Sequence, residues 1–68
     1  MEINIRKSIK ENFKGAEKDE IKTSITEAIS SNDEITLPGL GIFFEILWNN
    51  SDINNQEYIL DTLEKGLK

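Results

Sequence analysis

Apolar residues recur at helical spacing near the N-terminus of this chain. Ile5, Ile9 and Phe13 lie four residues apart with charged residues between them, which predicts an amphipathic helix over about residues 3–13. Gly15 follows at the position where a left-handed cap ends many helices. A second helix is predicted over about residues 17–31, ended by Asn32 and Asp33, from a stripe formed by Ile21, Ile25, Ala28 and Ile29.

The C-terminal segment has the same periodicity. A helix is predicted over about residues 52–67, with Asp52 as a plausible N-cap and Asn54, followed by Glu57 three residues on, as the alternative. One face of this helix carries Gln56, Leu60, Leu63 and Leu67.

The segment from Leu37 to Trp48 is apolar almost throughout and has two interpretations. As a helix that begins near Pro38, with Thr36 as its cap, it places Leu40, Phe43, Phe44, Leu47 and Trp48 at spacings of three and four. As two strands, 35–37 and 42–48, it forms a hairpin around the two glycines. The strands would be apolar on both faces except at Glu45, and so short a chain cannot cover both. The predicted fold class is therefore mainly α, one small domain over residues 1–68 with about four short helices; the alternative is an α+β fold of order α-α-β-β-α with a hairpin at 35–48.

A chain of 68 residues has few ways to become stable. A domain this small buries only about 60% of its unfolded surface. There is no cysteine, so disulfides cannot contribute. Helix packing or oligomerisation must supply the stability, and self-association into a homo-oligomer is expected. The residues predicted to form the core or the self-association surface are Leu37, Leu40, Phe43, Phe44, Leu47, Trp48, Leu60 and Leu63.

No constellation of catalytic residues is visible in the sequence. The chain has no histidine and no cysteine, so the serines lack a base and a nucleophilic triad is excluded. Gly39 and Gly41 lack the third glycine of a dinucleotide-binding loop, because Phe44 stands at that position. Glu45 has no catalytic companion; at an interface it could pair with Arg6 or a lysine. The sequence predicts no catalytic, cofactor-binding or metal-binding residue, no cofactor and no enzymatic activity.

The charge of the chain bears on its partners. The net charge is −5 and the pI is about 4.6, which argues against nucleic acid as a bulk electrostatic partner. Residues 1–22 nevertheless hold six of the eight cations. No signal peptide or membrane-spanning run is visible, so no membrane partner is expected.

Two groups of residues carry a family resemblance. They are the block from Leu37 to Trp48, with its L-P-G-L-G-x-x-F-E-x-x-W pattern, and the ending from Leu60 to Lys68. Together with the opening Asn4-Ile5-Arg6 and the segment 25–29, they resemble the small acid-soluble spore protein I family of endospore-forming Firmicutes over essentially the whole chain. The resemblance implies a protein made in the forespore and held in the spore core. For such a protein we expect a structural or protein-interaction role, with an unknown spore-core protein as partner.

A second resemblance supports the alternative fold. The spacing of Ile35, Leu37, Gly39, Gly41 and Phe43 is similar to the hairpin of HU-type nucleoid proteins, which also begin with two helices. It implies a DNA-associated dimeric module that uses the N-terminal cations on phosphates. The long basic arms of HU-type proteins are absent from this chain, and its net charge has the opposite sign.

Overall fold

The structure is a computed structural model that describes residues 4–68. Four α-helices follow one another in this range: α1 (Ile5–Asn12), α2 (Lys18–Ser31), α3 (Leu37–Asn49) and α4 (Ile53–Leu67). A short 3-10 turn, Glu34–Thr36, leads into α3. The prediction of a mainly α fold with about four short helices is confirmed.

The alternative α+β fold is wrong. Residues 37–49 form helix α3, and no strand occurs between residues 4 and 68. The physical reason lies in the backbone: a helix satisfies its N–H and C=O groups within one segment, whereas a hairpin with two apolar faces needs cover on both sides. Pro38 supports the helix, since it lies in the first turn, where no backbone donor is needed.

The two N-terminal helices begin and end at residues suited to those positions. The Asn4 side chain accepts a hydrogen bond of 3.0 Å from the backbone N–H of Lys7 and caps α1. Ile3, predicted to begin this helix, lies outside the described residues. Gly15, with φ of 77°, and Asn32, with φ of 51°, both adopt the left-handed conformation after α1 and α2, as the predicted helix ends require.

Thr36 has a different role from the predicted one. Its side chain makes no cap hydrogen bond to α3. Its hydroxyl instead donates to the backbone oxygens of Asp33, at 2.7 Å, and Ala28, at 3.2 Å. This bond to Ala28 links the start of α3 to the last part of α2.

Helix α3 is the centre of the packing. Within residues 4–68 it packs against α1, α2 and the 3-10 turn. The rings of Phe13 and Phe43 meet edge to face, with centroids 5.0 Å apart and planes at 73°. The Cδ1 atom of Ile9 lies 3.7 Å from the place a Cβ atom on Gly39 would occupy, so α1 approaches the α3 backbone closely.

Helix α4 extends from α3 through a short, hydrogen-bonded junction. Ser51 donates to the backbone oxygen of Leu47 at 2.6 Å, and the Gln56 side chain donates to that of Trp48 at 3.1 Å. The Asp52 side chain accepts from the N–H of Asn55 at 2.8 Å and caps α4 as predicted. Beyond this junction α4 makes no packing with another described element comparable to that of α3. None of the described helices combines the length and the apolar character needed to cross a bilayer.

Candidate functional site

One side of α3 is apolar and uncovered. The exposed fractions are 58% for Leu37, 42% for Phe44 and 50% for Leu47. We call these three residues the α3 face. The ring of Phe44 stacks on that of Trp48 with centroids 6.2 Å apart, which keeps its apolar surface in place beside the junction with α4.

A second uncovered apolar surface lies on α4. Leu60 is 46% exposed, Leu63 is 44% exposed and Leu67 is 85% exposed. They follow one another at spacings of three and four, so they lie on one side of the helix. We call these three residues the leucine face. The carboxylates of Asp61 and Glu64 border it.

The structure divides the residues predicted for the core or for self-association into two groups. Leu40, Phe43 and Trp48 are half-buried. The other five remain exposed; they are Leu37, Phe44, Leu47, Leu60 and Leu63. No residue of the described range is buried, so these side chains do not enclose a core within a single chain. Their role as core or self-association residues stays a prediction.

An apolar groove adjoins the α3 face. It has a volume of about 630 Å³ and lies between α1, α2 and α3. Its apolar lining includes Ile9, Phe13, Ile21, Phe43, Phe44 and Leu47. Lys10 also lines it and places a cation beside the apolar surface. Because Phe44 and Leu47 belong to both, the groove and the α3 face form one continuous apolar surface.

The total surface of the chain is large for its mass. The accessible area is 6172 Å². A compact monomer of this mass is expected to expose only about 4,400 Å². The Cα radius of gyration is 13.3 Å, whereas a compact chain of this length has one of about 11 Å. The single chain therefore leaves uncovered an area that a folded protein of this size ordinarily buries.

One ion pair holds α1 against α3. The Arg6 guanidinium donates hydrogen bonds to both oxygens of the Glu45 carboxylate, from Nε to Oε1 at 2.8 Å and from Nη2 to Oε2 at 2.9 Å. This hydrogen bonding to Arg6 is the main cause that lowers the pKa of Glu45 below its ordinary value. The same contact raises the pKa of Arg6. Glu45, the one charged residue between Leu37 and Trp48, is thus paired with Arg6 of the same chain, and both side chains remain exposed to solvent.

The groove and the two faces present mainly apolar side chains. Residues 4–68 contain no cluster of carboxylates that could hold a metal ion. Most of the side chains that line the groove are apolar, and such a lining binds other apolar groups by removing their surface from water. This arrangement is suited to association with another apolar surface. Sequence reasoning missed that α4 extends away from α3, because the spacing of the leucines shows an apolar face without showing what covers it.

Fold and surface together define a small helical protein with an uncovered apolar surface and, in the part of the chain described, no cluster of residues that could hold a metal ion. The family profile described as "Small, acid-soluble spore protein I" matches residues 3–67. Proteins of that name from Bacillus cereus (strain G9842) and Bacillus anthracis (strain A0248) are each 43% identical over 68 residues, covering 100% of this chain and 99% of the relative. No solved structure matches. The chain belongs to the small, acid-soluble spore protein I family, and the resemblance seen in its sequence is confirmed.

Proposed function

We propose that this spore protein is a non-enzymatic component of the spore core that acts by binding another protein. Membership of the family supports the association with spores. The observation that carries the interaction role is the exposed apolar surface formed by the α3 face and the leucine face. Large exposed apolar patches on soluble proteins commonly mark sites of interaction with other proteins.

The proposed location has a direct test. Dormant spores are stripped of their coats and extracted with acid, and the chain is quantified by mass spectrometry beside coat fractions and growing cells. We expect it in the extract of the stripped spores. Recovery chiefly from the coat, or in equal amount from growing cells, contradicts a role in the spore core.

The interaction role is tested inside the spore by photo-cross-linking. A photoreactive residue is placed at position 63, on the leucine face, and in a matched strain at position 58. Tyr58 is 72% exposed and lies on the opposite side of the same helix. Protein adducts are expected from position 63 well above those from position 58. Equal adducts from both positions contradict binding through this surface.

DNA is not the expected partner. The HU-like hairpin on which that hypothesis depended is absent from residues 4–68, and the net charge of −5 repels phosphates. What remains is a set of cations on and after α1, including Lys7, Lys10 and Lys14. Duplex DNA at low salt should show no binding to the purified chain. Binding that weakens steeply as salt rises would restore the DNA-associated alternative.

A further inference from the structure

The uncovered apolar surface has two parts, and both belong to the same chain. The α3 face and the leucine face lie on consecutive helices of similar length. Helix α3 has 13 residues and helix α4 has 15 residues. At 1.5 Å per residue, these are rods of about 20 and 22 Å. The two helices are therefore similar in length, and each carries an apolar face.

The junction between the two helices keeps the leucine face from folding onto the α3 face of its own chain. Short connections ordinarily place two helices side by side as antiparallel neighbours. Here hydrogen bonds from Ser51 and Gln56 fix the chain across the junction, and the Asp52 cap starts α4 at once. Helix α4 leaves in a direction in which it does not pack broadly on α3.

We propose that a second copy of this chain covers both faces, in a twofold dimer in which the leucine face of each copy packs on the α3 face of the other. This inference rests on the proposed function, since it names a second copy of the chain as a protein that the same surface binds. A twofold arrangement uses the two faces reciprocally and leaves neither exposed.

The area involved fits a stable dimer. The chain exposes about 1,800 Å² more than a compact monomer of its mass does. A standard interface takes about 800 Å² from each partner. A standard interface thus covers less than half of this excess, whereas the larger interfaces of obligate homodimers take about 1,000–2,500 Å² from each partner and can cover all of it. A short peptide on one face would leave the other uncovered.

Charge at the edge of the two faces is complementary as well. Asp61 and Glu64 border the leucine face together with Lys68, so this border carries one more negative than positive charge. Lys10 lines the groove beside the α3 face, and the other charge in that lining, Glu45, is paired with Arg6. In the reciprocal dimer the acidic border of one copy meets the basic border of the other. Two leucine faces packed on each other would instead bring four carboxylates together with only two ammonium groups, which like-charge repulsion disfavours.

The experiment begins with the purified full-length chain in sedimentation equilibrium over a range of concentrations. We expect the mass of two chains, each of 7.8 kDa. Leu63→Glu should weaken the dimer roughly tenfold or more, as expected for a central apolar contact. Tyr58→Glu adds the same charge to the opposite side of α4 and should leave the dimer intact. A wild-type chain that stays monomeric at about 100 µM overturns the proposal, because a dimer with a Kd of about 1 µM or less would be almost fully formed at that concentration.

A second measurement uses milder changes and reports which faces meet. The natural chain has no cysteine, so single cysteines can be placed without background. A chain with Leu47→Cys is mixed with an isotope-labelled chain with Leu63→Cys, allowed to exchange and oxidised; Phe44→Cys and Leu60→Cys form a second pair. Mixed disulfides in excess over those between identical chains support the reciprocal dimer. Disulfides formed chiefly between two Leu63→Cys chains overturn it.

The failure of this inference is distinguishable from failure of the proposed function. If the purified chain is monomeric but position 63 still forms adducts with a different protein in spores, only the dimer is wrong. If position 63 forms no more adducts than position 58, the interaction role itself is wrong.

Discussion

At the scale of single residues, the pair formed by Arg6 and Glu45 links the first helix to the third. Two short contacts join the guanidinium to the carboxylate. The two side chains are 63% and 41% exposed, so solvent screens their charges and the pair adds little to the free energy of unfolding. Its main effect is to orient the two helices. The pair fixes which side of α1 lies on α3 and leaves Phe13 against Phe43.

The pair of Arg6 and Glu45 should make the thermal stability of the fold depend on pH. Folding lowers the pKa of Glu45, chiefly through its hydrogen bonds to Arg6. The contribution of the carboxylate is therefore present above the unfolded pKa and is lost as the pH falls through the lower folded value. Glu45→Gln should unfold at a temperature that falls less steeply than that of the wild type between about pH 5 and pH 3.

The matched control for the pH experiment is Glu27→Gln. Glu27 lies exposed on α2, outside the one ion pair found in residues 4–68. Thermal unfolding followed by circular dichroism across this pH range gives the comparison. If both variants keep the pH slope of the wild type, the ion pair contributes nothing to folding in solution.

Gly15 offers a second test at this scale. Its φ of 77° is left-handed, and an added Cβ atom would meet nothing within 4 Å. The cost of Gly15→Ala is thus purely one of backbone conformation, and we expect the free energy of unfolding to fall by about 1 kcal/mol.

Gly41→Ala is the comparison for Gly15→Ala. Gly41 also has open space around it, but it lies inside α3. Alanine there should raise the free energy of unfolding by about 0.5–1 kcal/mol, because it is the better helix former. Urea unfolding of both variants measures the two shifts, and the same sign for both would contradict the conformational explanation.

At the scale of the elements, α3 is the helix to which the rest of the described chain is joined. Helix α1 reaches it through an aromatic contact and an ion pair. Helix α2 reaches it through the hydroxyl of Thr36. Helix α4 is joined to it by a hydrogen-bonded junction and little else. The packing is therefore strongest on one side of α3 and leaves its other side open.

The aromatic contact between α1 and α3 should show a measurable coupling. Edge-to-face pairs such as Phe13 and Phe43 contribute about 0.5–1.5 kcal/mol beyond the area they bury. A double-mutant cycle with Phe13→Leu and Phe43→Leu should return a coupling free energy in that range. The cycle of Tyr58→Leu with Phe43→Leu is the control and should return additivity, since Tyr58 lies exposed on α4. Additivity in both cycles would mean that the two rings do not touch in solution.

At the scale of the whole molecule, stability and association should be linked. No described residue is buried in the single chain, and its area exceeds that expected for a compact monomer. A folded state that dimerises gains stability by mass action as the protein concentration rises.

The thermal midpoint of the wild-type chain should therefore increase with protein concentration. Each tenfold rise in concentration should raise it by a few degrees, as expected when association adds about 1.4 kcal/mol per decade to a small domain. Leu63→Glu should lose most of this dependence, and Tyr58→Glu should keep it. A midpoint that is the same at all concentrations would contradict the dimer.

Much of the fold can be read from the sequence because its signals are local. The spacing of Ile5, Ile9 and Phe13, the left-handed positions at Gly15 and Asn32 and the cap at Asp52 each act within a few residues. For the segment from Leu37 to Trp48, the number of apolar faces that need cover favours a helix over a hairpin, and α3 agrees with this prediction. Only Thr36 acts differently, because Ala28 comes within reach of its hydroxyl through tertiary packing.

The candidate site was less accessible to sequence reasoning. The sequence by itself determined the four helices, their apolar faces and the absence of histidine and cysteine chemistry, because propensity, spacing and composition are properties of neighbouring residues. The tertiary structure alone decided that Arg6 meets Glu45, that Phe13 meets Phe43 and that α4 leaves α3 uncovered. Those outcomes depend on the direction in which each helix leaves its junction. The spacing of apolar residues indicates that one face of a helix must be covered, but it does not indicate which element or partner covers that face.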